Sequence, residues 1–292
     1  MTNKILSVIL VLNVAVILSF NKQLNDLKQQ VTRLEIKKMT RQEIDLKTKV
    51  IAKEMKTKAK AVLSIRCEDS SKPPLDPKDR KKDKNAYPKK WHGTAAKVGY
   101  NYLLTVDHLI SNSGDETNRV LPIKCLLYQR GVEVGEYNSE VHKFKQVGQK
   151  DIALIEVKFN AEGEDISELV PEVYPNLDVG ETLVLITHPR NMINDYLITF
   201  GLVLNADAEK ILETKRKNYW KNAIITDMMA APGSSGSPVL SLDGKFIGIH
   251  VGGDRDEMLN ANYQIMFDTE FYLSYQMYKL FHAKNNKKSK EK

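Results

Sequence analysis

From Ala61 onward the chain is cut into short β-rich runs: AVLSIRC, WHGTAAKV, NYLLTV, VLPIKCLLY, EVGEY, IALIEV, TLVLIT, YLITFGLVL, AIITDM, SPVLSL, KFIGIHV and YQIMF. Turn residues bound each run, a rhythm that restricts the fold to an all-β sandwich or barrel. Only the last piece, TEFYLSYQMYKLFHA, has apolar residues at helical spacing. With 292 residues the chain can hold one large domain or two small barrels with a sizeable core, and further segments at its ends.

The residues before Ala61 obey a different pattern. ILSVILVLNVAVILSF, residues 5–20, carries no charge and is long enough to cross a bilayer marginally, since a helix needs about 20 residues for the hydrocarbon core. No small-residue cleavage site follows it, which favours an uncleaved single-pass anchor over residues 1–21 rather than a signal peptide. Lys4 precedes the run, whereas Lys22, Lys28, Arg33, Lys37 and Lys38 follow it. By the positive-inside rule the bulk of the protein would stay on the cytosolic face, with export as the alternative. Residues 22–60 lack Gly and Pro, and Leu24, Leu27, Val31 and Leu34 fall at a-and-d spacing before the seam meets Lys38 and Arg41. A short coiled coil that builds a homo-oligomer and a solvated helical stalk both fit this pattern. KPPLDPKDRKKDKNAYPKK, between the first two strands, reads as an exposed, mobile loop.

The formal charge of +7 does not point to nucleic acid, because the basic residues gather in the N-terminal helix, that loop and the tail 284–292. No basic stripe interleaved with aromatics marks a specific nucleic-acid site. Cys67 and Cys125 supply neither a disulfide framework nor a metal-site spacing, so they read as buried thiols and stability is left to packing.

The chemistry concentrates in APGSSGSPVLSLDGKFIGIHVGG, residues 231–253. A serine hydroxyl becomes a useful nucleophile only with a base, a group that orients the base, and donors for the developing oxyanion. Gly233 and Gly236 flank Ser235 and permit a tight turn that aims the Gly233 and Ser235 amides at one spot, an oxyanion hole. Among His92, His108, His142, His188, His250 and His282, His108 emerges where the run YLLTVDHLI stops, so a buried strand aims it. Asp151 opens DIALIEV and is placed to accept the proton that fixes the His108 tautomer. The order His, Asp, Ser, and Ser237 where a second glycine would stand, exclude a nucleophile elbow.

TVDH, DIAL and GSSGSPV in this order resemble the active-site set of the chymotrypsin-like serine proteases, over the stretch from about Ala61 to the C-terminal helix. The resemblance implies an all-β double antiparallel barrel of six strands each, a trypsin-like protease domain spanning residues 61–283, and catalysis by His108, Asp151 and Ser235 without metal or organic cofactor. ITDMMAAPGSSGSPVLSLDGKFIGI is similar to the high-temperature-requirement branch, with a Thr-Asp pair at the same distance before the serine; the few residues past Gly253 leave no PDZ domain expected. IGIHVGG resembles the glutamyl endopeptidases and 3C-like viral serine proteases, in which the histidine equivalent to His250 lines the pocket for the residue before the scissile bond and accepts glutamate or glutamine. Gly248, Gly252 and Gly253 suit a strand that a substrate backbone approaches.

Three departures qualify the resemblance. Ser234 replaces the aspartate that pairs with a newly cleaved N-terminus in digestive relatives, so no switch of that kind is expected. Ala230 replaces a hydroxyl-bearing residue five positions before the nucleophile, a loss on the order of 1 to 3 kcal/mol per missing hydrogen bond to a polar ligand unless another side chain supplies the donor. Met229, at the expected pocket floor, disfavours a deep pocket for lysine or arginine. The expected partner is thus a polypeptide substrate. The biological setting stays open between a viral polyprotein-processing protease, an exported quality-control protease, and a catalytically silent, membrane-tethered binding module.

Overall fold

The computed structural model describes residues 41–70, 90–110, 123–142, 144–146, 151–173, 177–189, 195–206, 208, 222–256 and 259–277. The expected anchor, the seam from Leu24 to Leu34, the lysine- and proline-rich loop 71–89, His282 and the basic tail fall outside these residues. Among the described residues no helix is long and apolar enough to cross a membrane.

The chain divides into two compact units, residues 1–52 and 53–292. Helix α1, Arg41–Lys58, is free of Gly and Pro and carries Lys56 and Lys58 in its last turn, where they complement the helix dipole. Lys49 and Val50 are exposed. Within the second unit the helix end is packed: Met55 is fully buried, and Glu54 and Lys58 lie against the turn at Gly244.

Strands β1 (Val62–Asp69), β2 (Lys90–Gly99), β3 (Tyr102–Thr105), β4 (Ile123–Gln129), β5 (Val132–Asn138), β6 (Phe144–Gln146), β7 (Ala153–Glu156) and β8 (Lys158–Phe159) build the first sheet. Their order is β6-β7-β3-β2-β1-β4-β5-β8, every pair antiparallel. It therefore holds eight strands, where six were expected; the extra two, β6 and β8, are short flanking additions. Strands β9 (Thr182–Thr187), β10 (Leu197–Asn205), β11 (Ala223–Thr226), β12 (Pro238–Ser241), β13 (Phe246–Asp256) and β14 (Leu259–Met266) close into a barrel in the order β10-β11-β14-β13-β12-β9. Its interior is filled by Leu183, Leu185, Val203, Ile224, Val239, Ile247 and Met266, contributed by all six strands, with Met228 from just past β11. Two short helical turns, α2 (Asp107–Ile110) and α3 (Ala161–Glu164), interrupt the first half, and helix α4 spans 269–277.

A buried lysine ties the first sheet to its connection with the second. Lys97 on β2 is 1% exposed, donates to the Gly163 and Glu164 carbonyls at 3.1 and 3.0 Å, and lies 4.7 Å from the Phe159 ring centroid. Burial holds its pKa below the ordinary lysine value, against the opposing pull of Glu168, Asp165 and Glu164. The same stretch of β2 receives Leu169 N–H at the Lys97 carbonyl, 2.8 Å, and the Tyr275 hydroxyl of α4 at the Val98 carbonyl, 2.8 Å.

The reading of the two cysteines as thiols is corrected. Cys67 and Cys125 stand directly opposite each other in the β1–β4 register, with Cα atoms 4.0 Å apart, and are joined as a disulfide. Sequence spacing hid the pair because its members are 58 positions apart and only strand pairing aligns them. In the chain-entropy account a bridge across such a loop constrains the unfolded chain by up to about 4 kcal/mol. Replacing both cysteines by alanine is expected to lower unfolding free energy by about 2–4 kcal/mol, read as a lower urea midpoint with a slope that rises as the unbridged unfolded chain exposes more surface; an unchanged midpoint would contradict this.

Candidate active site

The serine loop is shaped by two consecutive turns. Ser234 N–H donates to the Ala231 carbonyl at 2.9 Å, with Pro232 and Gly233 between them and Gly233 at φ +99°. Ser237 N–H donates to the Ser234 carbonyl at 3.0 Å, with Ser235 and Gly236 between and Gly236 at φ +88°. Both have the type II signature, glycine with positive φ at the third position, and Pro232 presets the first. Ser235 thus sits at the second position of a turn, half-buried, at the corner of the chain.

Where this segment's backbone hydrogen bonds go can be followed group by group. The Gly233 carbonyl accepts from Thr94 Oγ1 at 2.9 Å, and the Ser235 carbonyl accepts from Thr94 N–H at 2.8 Å. Gly236 N–H donates to the His250 carbonyl at 2.8 Å, and His250 N–H returns to the Ser237 carbonyl at 2.9 Å. Ser234 is fully buried, and its hydroxyl accepts from Ala231 N–H at 3.1 Å. Two N–H groups are left without an acceptor among the described residues, those of Gly233 and Ser235, the pair expected to form the oxyanion hole.

Glycine is required at two places here for reasons of contact. A Cβ on Gly236 would stand 2.0 Å from the Thr94 carbonyl oxygen, and one on Gly93 would stand 2.0 Å from Leu109 Cδ1 and 3.0 Å from the Ser235 carbonyl oxygen. Gly93 is therefore the point where the histidine turn and the serine loop meet across β2. Trp91 on the same strand donates its indole N–H to the Leu109 carbonyl at 2.7 Å and fixes α2 in place.

His108 lies in α2 with its side chain about 36% exposed, and Asp151, at the entry to β7, is buried. Asp151 accepts twice: Oδ2 from His108 Nδ1 at 2.6 Å and Oδ1 from the His108 backbone N–H at 2.9 Å. A ring proton on Nδ1 leaves Nε2 unprotonated. Burial pulls the His108 pKa down, but the hydrogen bond and charge of Asp151, with the charge of Asp107, outweigh it and raise the pKa above the ordinary histidine value.

His250 occupies the middle of β13, 3% exposed, with Nδ1 3.0 Å from Gln264 Oε1. Burial pushes its pKa down to about 4; the Gln264 bond opposes this, and the charge of His108 adds to it. A register shift in the β13–β14 ladder falls between His250 and Gly252, and a Cβ at Gly252 would meet nothing within 4 Å, leaving open space on that edge. Ala230 packs against the second-barrel core, while Met229 is 69% exposed, its carbonyl held by Thr199 Oγ1 at 3.1 Å. The other described histidines lie elsewhere: His188 is buried between the Asp195 and Val62 carbonyls, His142 accepts from Asn138 N–H, and His92 is half-buried on β2. No group of three or more metal-ligating side chains occurs among the described residues.

Thr94 escaped the sequence reading. Besides its two bonds to the serine loop it accepts His188 N–H on Oγ1 at 3.1 Å and the Thr105 hydroxyl on its carbonyl at 2.8 Å. A threonine after a glycine inside WHGTAAKV gives only a faint cue, since a close approach of two backbones is the common reason for glycine within a strand.

An antiparallel sheet that carries an imidazole–carboxylate pair and a closed barrel that carries a serine loop, both in contact with β2, have the arrangement of the chymotrypsin-like class. The chain belongs to the trypsin-like peptidase domain family, whose model matches residues 93–249. The serine protease Do-like HtrA of Bacillus subtilis (strain 168) is 35% identical over 75 residues, 26% of this chain and 17% of that protein. The glutamyl endopeptidase of Staphylococcus aureus (strain MW2) is 24% identical over 166 residues, 56% of this chain and 47% of its own length, so the chain spans about half or less of these curated relatives. Among solved structures, the crystal structure of Deg5 superposes with a TM-score of 0.51 at 19% identity, covering 78% of this chain and 91% of that one. The HtrA-type protease AlgW with tripeptide gives 0.55 at 15% identity, covering 80% and 64%. These superpositions show a shared fold.

Replacing Asp151 by Asn preserves shape but removes the charge and reverses the preferred tautomer, so kcat on a peptide substrate is expected to fall by about 10⁴-fold. The acid limb of kcat/KM, which reports His108 losing its proton, should lie above about 6.5 in the wild type and move down in the variant. An acid limb unmoved by the substitution would contradict the assignment.

Proposed function

We propose that the chain is a serine endopeptidase that hydrolyses peptide bonds through an acyl-enzyme on Ser235. The observation that carries this reading is the pair of amides, Gly233 and Ser235, that remain without acceptors among the described residues in a loop whose other N–H groups are paired. Ser235 Oγ attacks the scissile carbonyl carbon as His108 Nε2 takes its proton, and the carbonyl oxygen, now anionic, receives the two amides. Collapse of the tetrahedral species expels the amine, protonated by His108; water then attacks the acyl group by the same proton route in reverse. Asp151 holds the imidazole in register and stabilises its cation, consistent with the raised pKa of His108. His250, beside the loop through its backbone bonds to Gly236 and Ser237, lines the pocket for the residue before the cut and favours glutamate or glutamine. The similarity to a glutamyl endopeptidase supports that preference.

Two features bear on where the enzyme works. The uncharged run 5–20 supports a tether to a membrane, and the seam from Leu24 to Leu34 supports self-association beside it. The Cys67–Cys125 disulfide favours the exported alternative over the cytosolic face, because cytosolic thiols are kept reduced. Relatives from Bacillus subtilis and Staphylococcus aureus agree with a bacterial protease better than with viral polyprotein processing.

The test compares the full chain with Ser235→Ala on a peptide library. Wild type is expected to cut after glutamate or glutamine and the variant to lose at least about 10³-fold in rate. Equal inertness of the two proteins, with retained binding of a polypeptide, would replace the enzyme by a binding module. Alkylation of thiols in the protein taken from its native compartment should label Cys67 and Cys125 only after reduction; labelling without reduction would return the domain to the cytosol.

A further inference from the structure

Behind His250 runs a chain of uncharged groups. Gln264 faces His250 directly across the β13–β14 ladder, and its Oε1 lies 3.0 Å from His250 Nδ1. Gln264 Nε2 in turn donates to Thr226 Oγ1 of β11 at 3.0 Å. Gln264 and Thr226 are fully buried, so this relay crosses three strands of the second barrel without reaching water. No carboxylate joins it among the described residues. Asp227, next to Thr226, is exposed and turned toward β10, where its Oδ1 accepts from Leu202 N–H. The serine loop offers His250 only backbone groups, the Gly236 N–H and the Ser237 carbonyl. The one titratable side chain that acts on it, His108 from α2, opposes a second positive charge.

We infer that Gln264, backed by Thr226, is a positioning residue that keeps His250 uncharged and so makes the enzyme prefer glutamine to glutamate before the scissile bond. The inference rests on the reading that His250 lines that pocket. A buried imidazolium needs an opposite charge, and the Gln264 amide oxygen with the backbone of Tyr263 offers it only neutral partners. With its Nδ1 proton given to Gln264, the ring presents Nε2 as a bare acceptor. A glutamine side chain brings an N–H to meet it; an ionised glutamate carboxylate brings only lone pairs, and would need a second proton on the His250 ring, which burial and the charge of His108 both disfavour. Turning the Gln264 amide over moves the ring proton to Nε2 and lets the Thr226 hydroxyl donate, yet the relay stays neutral, so a charged ligand remains the poorer match in either arrangement. The donor missing at Ala230 sharpens the effect, since a carboxylate loses the hydroxyl that relatives offer it.

The test measures kcat/KM of the full chain on paired peptides that differ only in Gln or Glu before the cut. Near neutral pH the wild type is expected to favour glutamine by about tenfold or more. Gln264→Glu places a carboxylate against Nδ1, favours the imidazolium, and should move the Gln/Glu ratio by about tenfold or more toward glutamate, while fluorophosphonate labelling of Ser235 stays near the wild-type rate. A wild-type preference for glutamate, or a ratio unmoved in a labelled, folded Gln264→Glu protein, overturns the inference. Nitrogen shifts of the His250 ring give a readout that needs no variant: a neutral ring at pH about 7 is expected, and an imidazolium there overturns the inference. His250→Ala separates the two levels. If it leaves the cleavage profile unchanged, the pocket assignment fails and this inference with it; if it erases selection while Gln264→Glu changes nothing, only the role of Gln264 fails.

Discussion

Thr94 is the joint on which the site depends. It belongs to the first sheet, yet its N–H and hydroxyl hold the Ser235 and Gly233 carbonyls of the second barrel's loop, and its hydroxyl also receives His188 N–H. The two carbonyls belong to the Gly233–Ser234 and Ser235–Gly236 peptide planes, whose own N–H groups are paired; the free Gly233 and Ser235 N–H groups lie in the planes that alternate with these, so holding the first pair limits how the second can turn. Gly93 beside it lets α2 and the serine loop close on the same stretch of strand. His108 and Ser235 come from opposite halves of the fold, and β2 is the element that touches the turns of both.

The two histidines of the site illustrate how partners divide one chemistry into two roles. His108 has a carboxylate that accepts from both its ring and its backbone, and its cation is favoured. His250 has only neutral acceptors, the Gln264 amide and the Tyr263 backbone, and burial favours its neutral form. The first arrangement suits an imidazole that takes up a proton; the second suits one that meets a neutral partner.

Much of this was legible in the sequence because it rests on local pattern. Each of the twelve β-rich runs contains or overlaps a strand, since alternation and turn residues act within a few positions. The Gly233 and Gly236 turns were equally readable, because only glycine accepts their positive φ. What stayed hidden depends on register between distant strands: the Cys67–Cys125 bridge, the Gln264–Thr226 relay and the contacts of Thr94 each join residues that no short window contains. The strands β6 and β8 were missed for another reason, being three and two residues long.

The account turns on whether the first sheet holds the second barrel's reactive loop in its working shape. The most direct measurement is the second-order rate at which a fluorophosphonate modifies Ser235 in the wild type, Thr94→Val and Thr94→Ser. Valine keeps the volume but leaves the Gly233 carbonyl and the His188 amide without their partner, and a fall of about 10²-fold is expected in a protein that remains folded by its urea midpoint, with serine staying within about tenfold of wild type. A folded valine variant that reacts at the wild-type rate would contradict it.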